Sequence, residues 1–151
     1  MTTTTHHPGG RGAATLLAGL FAVYLVLLVW LVLWKLNLPW EAMPERRSLK
    51  LVPFIAAEGY GASALREVAG NVAVFVPFGL GLALLRPGWG WWRVAAAAAA
   101  LSAALELAQF ALAIGSTDVT DVITNTAGAV AGVVLARLFG RNPLAVADRS
   151  P

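Results

Sequence analysis

Four long apolar stretches alternate with short polar segments along the chain. Ala13 to Trp34 runs without a charge, and Val68 to Leu85 is interrupted only by Asn71 and Pro77. Val94 to Ile114 has Glu106 as its only charge. Val119 to Phe139 has Asp121 and Arg137 near its ends. Each stretch is close to the length, about 20 apolar residues, at which a helix crosses a bilayer. The pattern therefore predicts an all-α membrane protein with four transmembrane helices. The second stretch is the shortest of them. Runs such as Leu16 to Trp34 are apolar on every face, which a surface helix of a soluble bundle is not. A cleaved signal peptide is the competing reading of the first stretch. Its apolar run is longer than a usual h-region, and no small-x-small site follows it directly.

The segments between the stretches complete the outline. Met1 to Gly12 and residues 141 to 151 read as flexible tails around a four-helix domain over residues 13 to 140. His6-His7 reads as part of a solvated tail rather than a metal site. The segment from Lys35 to Glu67 is far longer than a usual connection between helices. Its apolar run Leu49 to Ile55, broken by Pro53, is expected to lie on the membrane or dip into it. Trp30, Trp34 and Trp40 gather at one end of the first stretch. Trp89, Trp91 and Trp92 occupy the turn after the second. Indole rings favour the headgroup level, so these read as two aromatic belts.

Composition sharpens the class. Apolar residues make up 58% and charged residues 13%, against about 45–50% and about 25% in soluble domains. Disordered chains are polar and charged, so disorder is excluded as well. Cysteine is absent, which rules out disulfides, thiol nucleophiles and thiolate metal sites. Net charge is +3, with the basic residues scattered, so nucleic acid is not an expected partner.

With four spans, both termini share one side. That side carries Arg11, Arg86, Arg93, Arg137, Arg141 and Arg149. The other carries Lys35, Arg46, Arg47, Lys50 and Arg66. The short loops are more telling than this near-even count. The Arg86–Arg93 turn is basic, while the turn around Ile114 to Thr120 holds only Asp118. Both termini are therefore expected in the cytoplasm, which makes the Lys35–Glu67 segment between the first two helices extracytoplasmic.

Polar groups inside a bilayer are costly and call for an explanation. Glu106 and Gln109 share a helix face, which Ser102 joins one turn earlier. Asp118, Asp121 and Asn125 share another, and Gly128 and Gly132 continue that line as a GxxxG pair. If the two helices turn near Gly115–Ser116, Glu106 and Asn125 lie at equal depth, about 14 Å from the turn. Asn71 enters from the outer end of the second span. These seven residues (Asn71, Ser102, Glu106, Gln109, Asp118, Asp121 and Asn125) are the ligand-binding candidates. The bland alternative is that they hydrogen-bond helices together, and that Asp118 and Asp121 cap a helix N-terminus. Glu106, in mid-span, has no such simple explanation.

Glu106 and Asp121 are the candidate acid–base pair, but no HExxH, G-x-S-x-G or P-loop pattern accompanies them. No cofactor is implied. An all-oxygen cation site would draw on Glu106, Asp118, Asp121 and Asn125, although their spacing is nonspecific. The Gly128/Gly132 face offers either a homo-oligomer contact or packing within one chain.

Asn71, then Phe75-x-Pro77-x-Gly79, then Ser102-x-x-x-Glu106-x-x-Gln109, then Asp118-x-x-Asp121-x-x-x-Asn125-x-x-Gly128 together resemble the VanZ-like membrane protein family. The resemblance covers about residues 49 to 140. It implies a bacterial inner-membrane protein with a cell-envelope role. The family takes its name from a protein of glycopeptide-resistance clusters, associated with teicoplanin resistance. It implies no reaction. Many relatives carry a basic residue just before the first Asp of the last motif. Here Ser116-Thr117 stands in that place, which removes a partner for Asp118 and Asp121. Four functions stay open: binding a membrane lipid or lipid-linked envelope precursor in an outer-leaflet pocket, an intramembrane enzyme on such a substrate, a small transporter, and a structural partner.

Overall fold

The structure is a computed structural model, and it describes residues 9–34, 46–50, 52–53 and 63–140. Helices form where the apolar stretches lie: α1 Gly9–Trp34, α2 Ser63–Leu85, α3 Trp91–Leu112 and α4 Val119–Phe139. Each is long and apolar enough to cross a membrane. The first helix begins at Gly9, inside the expected tail, and α2 begins at Ser63, ahead of the expected Val68. Residues 1–8 and 141–151, the rest of the expected tails, lie outside the described residues.

Two short strands were not expected. Arg46–Lys50 (β1) pairs in parallel with Ile114–Asp118 (β2), with Lys50 opposite Asp118. Leu49 and Lys50 are thus strand. Residues 54 and 55 of the expected membrane-surface segment fall outside the described residues. The pairing is also physically apt, because an extended backbone away from water needs hydrogen-bond partners.

The second and fourth helices make the closest contact in the molecule. They run parallel, with Val72 against Gly128 and Val76 against Gly132. A Cβ on Gly79 would overlap the backbone of Ala129, and one on Gly128 or Gly132 would overlap the carbonyl of Val72 or Val76. Small residues let two helix backbones meet in this way. The Gly128/Gly132 face is therefore filled by α2 of the same chain. Of the two uses expected of this face, packing within one chain is the one the structure shows.

Only one stripe of α1 is covered. Phe21, Tyr24, Leu25, Leu28 and Val32, spaced mostly three and four apart, pack on the core around Phe75, Phe78, Val94, Ala98, Ala129 and Val133. Phe75 and Phe78 have ring centroids 5.7 Å apart, and Phe21 stacks on Tyr24 at 5.8 Å. Much of the other side of α1 is exposed, Leu16, Leu20 and Val26 among it. That suits a helix whose outer side faces hydrocarbon.

Pro77 lies inside α2. It has no N–H, so the carbonyl four residues back loses its donor and the helix ladder is weakened there. Beside this gap the Tyr24 hydroxyl donates to the Val74 carbonyl at 2.6 Å. Tyr24→Phe removes this link and leaves the ring packing intact. We expect a loss of about 1 kcal/mol, read as a lower unfolding midpoint in detergent. An unchanged midpoint would show that the hydroxyl contributes nothing.

Candidate functional site

The C-terminal end of α3 sets the geometry of the polar site. Ala113 takes a left-handed conformation (φ 55°) and its N–H bonds back to the last turn, closing the helix. The chain then returns as β2 alongside the end it has just left. From Glu106 to Leu112 the helix climbs about 9 Å. The extended residues of β2 run back along it. The next helix therefore starts level with Glu106 rather than at the top of a tight turn.

Hydrogen bonds record this register. The Asp118 N–H donates to Glu106 Oε2 at 2.9 Å, and Thr117 Oγ1 donates to the Glu106 carbonyl at 3.2 Å. Asp118 is the N-cap of α4, its Oδ1 accepting from the Thr120 N–H at 2.8 Å. Two carboxylates thus serve the N-terminus of α4, where free N–H groups and the helix dipole favour negative charge. Glu106 is only 4% exposed. Its mid-span position is accounted for by a task that no linear spacing reveals: it accepts from the backbone N–H at the start of a neighbouring helix.

Asn125 does not lie level with Glu106, as a turn near Gly115–Ser116 would require. Its Nδ2 donates to Ser102 Oγ at 2.8 Å. Ser102 is one turn before Glu106, so Asn125 lies about 6 Å deeper than expected. The returning strand is the cause, because it lowers the start of α4. Gln109 also departs from the expected cluster. Its Nε2 donates to the Val32 carbonyl at 2.7 Å and ties α3 to α1. Glu106 and Gln109 share a helix face as expected, yet they serve different neighbours.

Asn71 does reach the acidic group. Its Nδ2 donates to Asp121 Oδ1 at 2.6 Å, linking α2 to the first turn of α4. The candidates thus resolve into three places. Asn71, Glu106, Asp118 and Asp121 gather at the N-terminus of α4. Ser102 and Asn125 form a deeper pair, and Gln109 holds α1. Among the described residues, every buried side-chain nitrogen or oxygen has a hydrogen-bond partner. Also among the described residues, no three of His, Cys, Asp and Glu are grouped to hold a metal ion.

The strand register adds charge of the other sign. It sets Ser48 beside Ser116 and Lys50 beside Asp118. Arg46, Arg47 and Lys50 are thus carried to the same end of the bundle as the three acids. Sequence reasoning missed β1, Thr117 and Tyr24. Tyr24 left a signal, as a phenol in an otherwise apolar run. Thr117 and β1 left none, because neither follows a helical or alternating period.

The motif Phe75-x-Pro77-x-Gly79 has a structural role at each position. Phe75 is fully buried, Pro77 interrupts the ladder beside Tyr24, and Gly79 admits α4.

A family model described as VanZ/LLP1 matches residues 21–140. Protein VanZ of Enterococcus faecium is 43% identical over 126 residues, covering 82% of this chain and 75% of that protein. No solved structure matches this chain.

Proposed function

The chain belongs to the VanZ/LLP1 family, and from that premise we propose that it binds a lipid-linked envelope precursor at the N-terminus of α4. It is a multi-pass bacterial membrane protein. In this reading both termini lie in the cytoplasm, so the site opens toward the outer leaflet. The observation that carries the proposal is the gathering of Glu106, Asp118, Asp121 and Asn71 around one helix terminus, with a basic strand in register beside it. Acidic and basic residues carried at one level suit a ligand with both amine and phosphate groups. A lipid-linked envelope precursor has that chemistry and presents it at headgroup depth. Binding such a ligand would connect the chain to glycopeptide (teicoplanin) resistance.

Asp121 is the residue to change. It is half-buried, and its partner Asn71 can also pair with an amide. Asp121→Asn removes one charge while keeping a hydrogen-bonding group of the same shape. The expected outcome is unchanged abundance in the membrane with at least about tenfold weaker retention of purified lipid-linked precursor, the scale of one lost charge-assisted bond. Teicoplanin susceptibility of a host expressing the variant should return to that of the empty host. Equal retention by Asp121→Asn and the unaltered protein would sink the proposal.

A further inference from the structure

A second feature lies at the opposite end of the bundle and is independent of the outer site. A partly open groove of about 540 Å³ runs between the ends of α2 and α4 and the turn that follows α2. Its walls include Ala83, Leu84, Trp89, Val133 and Leu138, with Arg137 as the single charged residue. Volumes of this size are typical of small-molecule sites. Here, however, the groove opens on a surface that faces hydrocarbon and headgroups.

Among the described residues, charge at this end is of one sign. Arg86 and Arg93 flank the turn and Arg137 sits in the last turn of α4. From Phe75 to Leu105, and from Val122 to Gly140, the chain contains no Asp or Glu. Arg93 is engaged, its guanidinium lying 5.0 Å from the centre of the Trp92 ring. The third helix starts here at Gly90 with no side-chain cap and no acid in its first turn. Its first N–H groups add to the positive field. A mostly apolar cleft with an exposed guanidinium at its rim, and no acid lining it among the described residues, complements a phosphate joined to acyl chains.

We propose that this groove binds one anionic phospholipid, its phosphate on Arg137 and an acyl chain along Leu84 and Val133. The chemistry favours a lipid over free phosphate, because most of the wall is apolar. Trp89 lines the groove, and indole rings favour the headgroup level.

The test uses the full chain, purified in a mild detergent and titrated with phosphatidylglycerol or phosphatidylcholine of identical acyl chains. Bound lipid is counted by native mass spectrometry. Phosphatidylglycerol is expected to be retained about fivefold better, the scale of one arginine near an anionic headgroup. Arg137→Gln should abolish that preference while leaving phosphatidylcholine retention unchanged. Leu84→Trp, which narrows the groove without touching the charge, should reduce retention of both lipids. Equal retention of the two lipids by the unaltered protein would overturn the proposal. So would a preference that survives Arg137→Gln, or displacement of phosphatidylglycerol by millimolar inorganic phosphate.

Discussion

Gly132→Leu is expected to stop the chain accumulating as a folded membrane protein. A side chain at this position would meet the Val76 carbonyl and the backbone of Gly79 and Leu80. Backbone atoms inside a helix cannot swing aside as the tip of a side chain can. The two helices would have to separate, and with them would go the burial of Phe75, Ala129 and Val133. Overpacking of a well-packed core costs about 1–3 kcal/mol, more when backbone must shift. About 3 kcal/mol lowers the folded-to-unfolded ratio roughly a hundredfold. Membrane abundance and a single symmetric peak on size exclusion are the readouts. Gly70→Leu is the control, because a Cβ at Gly70 meets nothing within 4 Å. It should stay within about 0.5 kcal/mol of the parent. Normal accumulation of Gly132→Leu would show that the α2–α4 contact is looser than described.

Glu106 separates structure from function through two substitutions with opposite expected outcomes. Glu106→Leu leaves the Asp118 N–H without its acceptor inside the bundle. An orphaned buried donor costs about 1–3 kcal/mol, so this variant should be depleted from the membrane. Glu106→Gln keeps a carbonyl oxygen in the same place and loses only the charge. It should accumulate normally, yet lose precursor retention by about tenfold or more, like Asp121→Asn. If Glu106→Gln retained full binding, the carboxylate would be a helix cap and no part of a ligand site. Full accumulation of Glu106→Leu would instead mean that water or another group replaces the lost acceptor.

The two pairs of residues also show how far a linear pattern reaches. Asp118 was readable as an N-cap, because an aspartate opening an apolar run is a local signal. Asn71 and Asp121 were candidates by residue type, and the fold brings them together across 50 positions. Asn125 and Ser102 were also candidates, but their pairing was not readable. It depends on how far the chain travels between α3 and α4. A hydropathy pattern registers that connection as a short turn, whereas the extended residues of β2 reverse along α3 and move α4 by a full helical turn.

What the sequence determined by itself is the number of spans, their approximate limits, and the family. Each follows from composition over some 20 consecutive residues or from motifs read in order, which are local properties. It also marked Gly128 and Gly132 as places where backbones can meet. Only the tertiary structure decided which helix they meet. The same is true of Glu106 as the acceptor for a neighbouring helix, of Gln109 as a tie to α1, and of the basic strand set beside the acids. Those outcomes depend on hydrogen bonds between groups distant along the chain. Such partners are selected by the depth and register at which the helices dock, and hydrophobic periodicity encodes neither.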